Sequence, residues 1–425
     1  MVVVKREINN KKSKKLVCAF NFLPYNDTSS NVAAKRLLEH GKEFDVIHNK
    51  MDYPIDDYFY KIVKKLINND ILLDISYLWK WENTKTFMKE GMEEINKICK
   101  KNGEYEEVYS RSMMPMSHFL AFAYKVKNPK VKWTAEFSDP LMINSRGETT
   151  YIQIDKEDMD KINRIIEENK YPVVNNDNFI FYSEYIPFLF ADKIIFTNQN
   201  EMDLMLNTLQ VEEVKKNIRK KSVISPHPIP NSDWYYLKEA NYDKIDNKKV
   251  NIAYFGKFFD LRHIYDVFSS FYALDKNLQE KTIIHLFVQN PNEFQNIINC
   301  TPIKDNVIVN PFLSFFEFLN LTTKFDCLIV NDLRSKGNFK INPFVPSKIS
   351  DYLGSGTDIW RICEYGSQMV GIDTKYLSYI DNIFSIQETL KKIIEDKIQS
   401  KNLNKNINNW NFILLLIIFP IFVKI

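Results

Sequence analysis

LVCAFNFLPYNDTSSNVAAKRLLEHGKEFDVIH, residues 16–48, contains one complete strand–helix–strand unit. Residues 16–20 are apolar and predict a buried strand. The hydroxyl residues at 28–30 can cap the helix that follows, and Gly41 is placed to end it. Residues 44–48 predict the second strand. Units of this kind build parallel sheets with right-handed crossovers, so this opening predicts an α/β fold.

The same cycle of apolar strand, loop and helical pattern recurs in both halves of the chain. Further strands are predicted at 107–109, 132–136, 193–197, 250–255, 283–288, 307–309, 326–331 and 358–363, and a late helix is predicted at 386–398. The proline-rich SPHPIP at 225–230 ends the first half, and the charged, glycine-free stretch 237–249 reads as a linker. We therefore expect two Rossmann-like, doubly wound domains facing a cleft. Their predicted ranges are 1–235 and 250–400, with a linker at 236–249 and a polar, then apolar tail at 401–425.

Composition excludes several classes of function. A chain of 425 residues is long enough for two or three domains. Its 57 Lys and Arg residues against 54 Asp and Glu residues leave a net charge of +3, which argues against a nucleic-acid-binding protein. No two of the five cysteines have C-x-x-C spacing, so neither a zinc site nor a disulfide framework is indicated. A reducing, cytoplasmic compartment fits this cysteine usage.

The carboxyl end of the sequence is apolar. Residues 412–423, FILLLIIFPIFV, form a run of twelve such residues that includes Pro420. As a helix the run would span ~18 Å, less than the ~30 Å hydrocarbon core of a bilayer, so a single-pass anchor is not expected. Two alternatives remain open: a buried terminal segment, or a segment that lies in the interface of a membrane surface.

The most informative segment is NPFVPSKISDYLGSGTDIW at 342–360. It predicts a loop limited by prolines, a helix beginning near Ser347, and a glycine turn that leads into a strand. A helix amino terminus favours a phosphate, and Lys348 would add a full positive charge in the first turn. Asp351, one turn further on, is an acceptor suited to sugar hydroxyls. The alternative is a helix cap with a solvated lysine.

The sequence P-S-K-x-x-D-Y-L-G-S-G at 346–356 resembles the donor-binding signature P-x-K-x-x-E-Y-x-x-x-G of GT-B glycosyltransferases, particularly family 4. In that family the lysine contacts the donor diphosphate and the carboxylate binds the nucleotide ribose. The resemblance therefore implies these roles for Lys348 and Asp351. The candidate donor-binding residues of this segment are Ser347, Lys348, Asp351, Gly354 and Gly356, where the glycines would let the chain turn tightly beside the ligand.

A second segment, FGKFFDLR at 255–262, resembles the family's G-[RK]-x4-[KR] element, whose two basic positions neutralise the donor phosphates. The resemblance implies donor contacts at Gly256, Lys257 and Arg262. In a loop, two basic residues five positions apart can converge on one diphosphate, whereas on a helix they would point about 140° apart. The segment at 346–356 begins about 90 residues after Gly256, which is the distance that the family shows.

The first half matches the family more loosely. Residues 21–41 occupy the place of the loop between the first strand and the first helix, which borders the acceptor cleft, but the usual glycines are absent. Strand-end loops of the family correspond to 109–122 and 133–140, which makes His118, Glu136 and Asp139 candidate catalytic, acceptor-side groups. A buried histidine with a structural role is the alternative for His118. His227 in SPHPIP is expected to be structural.

One departure from the family bears on activity. The family often carries a carboxylate eight residues before the ribose-binding one, and here that position is Pro343. The second member of the pair is Asp351 in place of glutamate, which shortens the reach by about one methylene group.

The resemblance implies a retaining, metal-independent glycosyltransferase, with a nucleotide-diphosphate sugar as donor and no other cofactor. The acceptor would be a glycan or a lipid-linked glycan in cell-surface polysaccharide biosynthesis. A cytoplasmic location is expected, with peripheral attachment to the inner face of the membrane left open. Two alternatives remain: a noncatalytic binding or accessory module of the same fold, and a sugar-nucleotide epimerase of the same fold, which would need no acceptor.

Overall fold

The computed structural model describes residues 7–8 and 13–422, with side chains for 13–403. Its internal contacts divide the chain into two compact units. Unit 1 contains the described residues up to Pro230 together with Ser335–Ser350, and unit 2 contains Asn231–Arg334 and the described residues from Asp351 onward. The predicted domain ranges stay a prediction. The predicted ranges place residues 335–350 in the second domain, whereas the division by contacts places them in unit 1.

Unit 1 is built around an eight-stranded sheet. Its strands are β1 (Glu7–Ile8), β2 (Lys15–Cys18), β3 (Phe44–Asn49), β4 (Ile67–Leu73), β5 (Glu107–Ser112), β6 (Lys132–Phe137), β7 (Lys193–Phe196) and β8 (Ser222–Ile224). They lie in the order β1-β4-β3-β2-β5-β6-β7-β8, all parallel except β1 against β4. The strand order reverses between β2 and β5. Doubly wound folds bind ligands beside the carboxyl ends of strands at such a point.

The helices of unit 1 cover this sheet. They are α1 (Thr28–His40), α2 (Asp57–Val63), α3 (Trp81–Asn102), α4 (Met116–Lys127), α5 (Lys156–Glu168), α6 (Phe179–Phe190), α7 (Gln199–Asn207) and α8 (Glu212–Lys221). The cap of α1 differs from the prediction at 28–30, because the carboxylate of Asp27 accepts from the amides of Ser29 and Ser30. Gly41 ends the helix as predicted, at a left-handed φ of 63° that favours glycine.

Unit 2 is built around a six-stranded, fully parallel sheet. Its strands are β9 (Val250–Phe255), β10 (Thr282–Val288), β11 (Val307–Pro311), β12 (Cys327–Asn331), β13 (Asp358–Cys363) and β14 (Tyr376–Tyr379), in the order β11-β10-β9-β12-β13-β14. The order reverses between β9 and β12, so the loops that follow these two strands leave the same edge of the sheet at the switch point. The α/β, doubly wound fold class is confirmed in both units.

The helices of unit 2 are α9 (Tyr265–Tyr272), α10 (Lys276–Glu280), α11 (Pro291–Asn299), α12 (Phe315–Thr322) and α14 (Ile383–Phe422). A further short helix, α13 (Lys348–Leu353), has its first three residues in unit 1 and its last three in unit 2. The helix predicted at 386–398 is the first part of α14, whose Ile386, Leu390 and Ile393 are buried in the core of the unit. In the part of the chain that the structure describes, no helix combines the length and the apolar character needed to cross a membrane. The alternatives for the 412–425 tail concern side chains outside the described residues.

The predicted strands agree with the structure in position and differ at their ends. The predictions at 250–255 and 358–363 match β9 and β13 in full. β5 is three residues longer than predicted, and β4, β8 and β14 were not predicted. Both β9 and β13 are buried almost along their whole length, as strands covered on two faces are, and most of their residues are apolar.

Candidate functional site

The loop after β9 carries the first predicted donor segment. Gly256 follows the strand directly, Lys257 is exposed, and Arg262 is half-buried. The amide of Phe259 donates to the carbonyl of Arg262 at 3.0 Å, and the amide of Arg262 donates back to the carbonyl of Phe259 at 2.8 Å. The guanidinium carbon of Arg262 lies 5.6 Å from the centroid of the Phe259 ring. Residues 256–262 therefore form a closed loop and not a helical turn, the geometry in which two basic residues can converge.

A buried carboxyl group that the sequence did not single out lies near Arg262. Asp332 follows β12, is fully buried, and accepts from the amide of Glu364 at 3.0 Å, after β13. Burial raises the pKa of Asp332 to about 7, an effect that the Ser367 side chain, the Glu364 amide and the charge of Arg262 oppose. Because β9, β12 and β13 are parallel neighbours, their carboxyl ends bring these groups to one edge of the sheet. No sequence pattern marks Asp332, since its pKa depends on burial.

The second predicted donor segment begins at α13. Lys348 is the first residue of this helix, and Ser347 precedes it; the side chains of both are partly exposed. At six residues the helix has fewer than two turns, so its dipole is weaker than that of a longer helix. Asp351 is 7% exposed, and its backbone carbonyl accepts from the Tyr235 hydroxyl at 2.6 Å.

The two glycines after α13 have different reasons to be glycine. Gly356 has a φ of +76° and open space around it, so it makes the tight turn that the sequence predicts. Gly354 does not have a positive φ. A methyl group at this position would lie 2.3 Å from the hydroxyl oxygen of Tyr235, so the side chain is excluded by packing. For Gly354 the structure therefore supplies a packing reason, independent of any ligand.

The segment that leads into α13 is held by unit 1. The side-chain amide of Asn198 donates to the carbonyl of Pro343 at 2.9 Å, and that of Asn200 donates to the carbonyl of Asn342 at 2.9 Å. The ammonium group of Lys35 donates to the hydroxyl of Ser350 at 3.0 Å. Position 343, where the related family often has an acid, thus contributes a backbone acceptor. Asn198 caps α7 and Asn200 is the second residue of that helix; neither had a recognised role in the sequence.

The carboxyl edge of the unit 1 sheet carries Glu136, which is completely buried at the end of β6. Its carboxylate accepts from Arg36 at 3.2 Å, Arg111 at 3.3 Å and the Tyr109 hydroxyl at 2.9 Å. Arg36 also donates to the carbonyls of residues 225 and 226, which lie in SPHPIP. One buried carboxylate thus links two arginines, and through Arg36 it fixes the end of unit 1.

Asp139 is partly exposed just beyond β6, one residue after Ser138, whose hydroxyl accepts from Arg111 at 3.0 Å. Glu201 in α7 faces the same region. Its carboxyl accepts from the amide of Thr197 at 2.8 Å and from the hydroxyl of that residue. Burial foremost, with a contribution from the charge of Asp139, raises the pKa of Glu201 to about 8. The sequence identified Asp139 as a candidate and missed Glu201.

His118 lies in α4 and has no exposed surface. Its Nδ1 is 2.8 Å from the hydroxyl of Ser110, and its ring packs at 4.9 Å from Phe137. Burial, with the charge of Arg111, lowers the pKa of His118 to about 3, so the ring is neutral at physiological pH. A neutral ring in this environment fits the structural alternative. The catalytic role assigned to His118 stays a prediction.

The described residues contain no cluster of three or more His, Cys, Asp or Glu side chains that could hold a metal ion. The described cysteines are free thiols, and of these Cys18, Cys99, Cys327 and Cys363 are buried.

Comparison with known proteins establishes the fold. No protein-family profile and no curated protein matches the chain. Solved structures do match it, among them a Listeria monocytogenes protein assigned as a UDP-N-acetylglucosamine 2-epimerase, at 13% identity over 91% of this chain and 90% of that chain, with a TM-score of 0.51. A UDP-forming α,α-trehalose-phosphate synthase from Burkholderia xenovorans, in complex with glucose-6-phosphate, matches at 6% identity over 92% and 95%, with a TM-score of 0.55. The lipopolysaccharide outer core galactosyltransferase WaaB matches at 10% identity over 90% and 91%, with a TM-score of 0.50.

At these identities the likeness concerns the fold alone. The expected GT-B fold is confirmed, because the chain and these structures share it over nine-tenths of their lengths. Membership of family 4 stays a prediction.

Proposed function

We propose that the protein is a glycosyltransferase that moves a sugar from a nucleotide-diphosphate donor to a glycan or lipid-linked acceptor. One observation carries the proposal: the basic loop at 256–262 follows β9 at the switch point of a GT-B fold, next to β12, the strand after which the chain continues to the second segment of the resemblance. Lys257 lies in the first loop, and the long loop after β12 leads to Lys348. Proteins with this fold include a galactosyltransferase and a UDP-forming synthase.

The chemistry of transfer suits these side chains. Breaking the bond between the sugar and the diphosphate develops negative charge on the departing phosphate oxygen. The ammonium groups of Lys257 and Lys348 and the guanidinium group of Arg262 would stabilise that charge. Three protein cations can do this without a metal ion, so we propose a metal-independent reaction, retaining as the resemblance implies. The donor is then the one small molecule required besides the acceptor.

On the acceptor side we propose that Asp139 contacts the acceptor hydroxyl, because it is the candidate of the three with exposed surface. Glu136 would act through Arg111, which it orients and which donates to Ser138 beside Asp139. His118 would support the same loop by packing against Phe137. The acceptor itself is proposed from family habit: a surface glycan, assembled on the cytoplasmic side of the membrane, with the apolar tail at the membrane surface.

The proposal is tested by Lys348→Ala, with Lys340→Ala as matched control, because Lys340 is an exposed lysine eight residues earlier in the same loop. A thermal-shift panel of nucleoside diphosphates and their sugars first identifies the donor; a ligand at 100 times its Kd stabilises by ~2.7 kcal/mol. We expect Lys348→Ala to lose sugar transfer and most of the donor-induced shift, and Lys340→Ala to keep both. If Lys348→Ala retains donor affinity and turnover, Lys348 does not contact the diphosphate.

A second candidate is a sugar-nucleotide epimerase, which the similarity to the Listeria monocytogenes protein favours. It would change the donor sugar without any acceptor, so incubation with UDP-N-acetylglucosamine alone, followed by chromatography of the sugar nucleotide, distinguishes the two enzymes. A chain that binds the nucleotide but neither transfers nor epimerises the sugar would instead be the accessory module that Pro343 suggests.

A further inference from the structure

Unit 2 presents two stacked aromatic pairs at the carboxyl edge of its sheet. Tyr365, two residues after β13, and Tyr379, the last residue of β14, stack with centroids 4.0 Å apart and planes within 5°. We call this pair the tyrosine platform. The second pair, His263 and Tyr265, lies at the start of α9 with centroids 4.5 Å apart.

The outer ring of the platform is open to solvent. Tyr365 is 70% exposed although Tyr379 covers one of its faces, so its other face is free. Exposing an aromatic ring in this way forgoes the stabilisation that burial would bring, about 25 cal/mol for each Å² of apolar surface. A rigid, flat, exposed ring, already held by a parallel partner, is suited to stack against another flat surface at little cost in side-chain entropy.

One arginine links the two aromatic pairs. Arg334, which follows β12, binds Asp381 at 2.6 Å through Nη1 and Asp266 through Nη2. Asp266 adjoins Tyr265, and Asp381 lies two residues after Tyr379, in a left-handed turn with a φ of 62°. The two pairs therefore flank one ion-pair cluster, in which Arg334 holds the carboxylates of Asp266 and Asp381.

We infer that this surface is a binding site for a neutral glycan, whose sugar ring stacks on Tyr365 while its hydroxyls bond to Asp266 and Asp381. A pyranose ring has an apolar face of C–H groups and an edge of hydroxyls that donate and accept, which matches an aromatic ring flanked by carboxylates. Nothing in the resemblance or in the compared proteins assigns a function to these residues. The inference concerns binding and does not depend on the proposed transfer reaction.

The charges favour a neutral ligand over a nucleotide. Two carboxylates, those of Asp266 and Asp381, face one guanidinium, that of Arg334. The one surplus carboxylate of this cluster disfavours a phosphate against Tyr365, whereas sugar hydroxyls donate well to carboxylates. The surface adjoins the loop at 256–262, because the amide of Arg334 donates to the carbonyl of Leu261 at 2.7 Å. A glycan bound here would lie beside the proposed donor loop.

The test uses the full chain with Tyr365→Ala and Tyr365→Phe. Tyr272→Ala is the matched control, since Tyr272 is 54% exposed in the same unit, at the carboxyl end of α9 and so toward the opposite edge of the sheet. The probes are neutral hexasaccharides of glucose, galactose and N-acetylglucosamine, measured by saturation-transfer NMR and calorimetry without nucleotide. We expect at least one probe to bind. Tyr365→Ala should weaken its binding about tenfold, which corresponds to ~1.4 kcal/mol, while Tyr365→Phe and Tyr272→Ala should stay within twofold.

Three results would overturn the inference. The first is that no hexasaccharide binds the native chain. The second is that Tyr365→Ala binds the probe as well as the native chain does. The third is that Tyr365→Ala loses affinity for UDP while its glycan binding is unchanged. Because glycan binding is read without donor, loss of transfer in Lys348→Ala leaves this test intact, and failure here leaves the transferase proposal standing.

Discussion

Replacing Gly354 with alanine would place a methyl carbon 2.3 Å from the hydroxyl oxygen of Tyr235 and 2.9 Å from two carbons of its ring. Tyr235 is 1% exposed and donates to the carbonyl of Asp351 at 2.6 Å, so its ring has little freedom to move away. Either the clash remains, which costs about 1–3 kcal/mol as overpacking does, or Tyr235 withdraws and leaves a buried carbonyl unpaired at a similar cost. These outcomes are alternatives, so their costs do not add.

Without that contact the same substitution would stabilise the protein. Gly354 has no positive φ, and a Gly→Ala change at such a position contributes about 0.4–1 kcal/mol by restricting the unfolded chain. We therefore expect a sign change: Gly354→Ala destabilises the native protein by about 1–2 kcal/mol net, but is neutral or stabilising in a Tyr235→Leu background, where the ring is absent.

Urea unfolding followed by circular dichroism measures the four proteins of this double-mutant cycle. Gly371→Ala is the control, since a methyl group there meets no atom within 4 Å and the residue has no positive φ, so its free energy of unfolding should rise by about 0.4–1 kcal/mol. If Gly354→Ala is as stable as the native protein, or equally destabilising with and without Tyr235, then packing against Tyr235 is not the reason for glycine at this position.

Substitutions at three further positions test other buried groups. Burial raises the pKa of Glu184 to about 7, so its contribution to stability is present below pH 4.5 and is lost as the pH rises toward 7 and above. Glu184→Gln should therefore flatten this part of the pH profile of the unfolding free energy, measured in urea, by up to ~1.4 kcal/mol for each pKa unit. An unchanged profile would contradict the raised pKa. Glu136→Ala leaves Arg36 and Arg111 without their shared carboxylate and should cost about 3–5 kcal/mol of unfolding free energy, with a loss below 1 kcal/mol counting against the network. Asp351→Asn should weaken nucleotide binding and Asp351→Glu should preserve it; equal calorimetric affinities for all three proteins would mean that Asp351 does not bind the ribose.

Sequence reasoning recovered β9 and β13, whose burial is nearly continuous, and missed β4, whose centre is polar. β9 and β13 were predicted in full because both are covered on two faces. β4 has the sequence INNDILL, and the polar residues at its centre do not match the pattern of a buried strand. In the structure Asn69 and Asp70 are nevertheless buried, and the carboxylate of Asp70 lies 2.8 Å from the Nε2 of His48 on the neighbouring strand. Such partners lie far away in sequence, so a local pattern cannot predict that these polar residues are buried.

The candidate site divides in the same way. Lys257 and Lys348 were found because a motif with fixed spacing carries them. Asp332 and Glu201 were missed because a raised pKa follows from burial and charged neighbours, and neither is visible in one stretch of chain. The reason for Gly354 also lay out of reach, since the side chain that excludes a methyl group is Tyr235, more than a hundred residues earlier.

The membership of Ser335–Ser350 in unit 1 affects how the chain is made. All eight strands of that unit have been synthesised once the ribosome reaches Ile224. The carbonyls of Pro343 and Asn342, which accept from the side chains of Asn198 and Asn200, are synthesised much later. Residues 231–350 are 120 residues, about 6–24 s of synthesis at ~5–20 residues per second. During that interval most of unit 2 emerges while unit 1 is still incomplete, so a fragment that ends at Pro230 would carry the whole first sheet and still lack the segment that covers its amide donors.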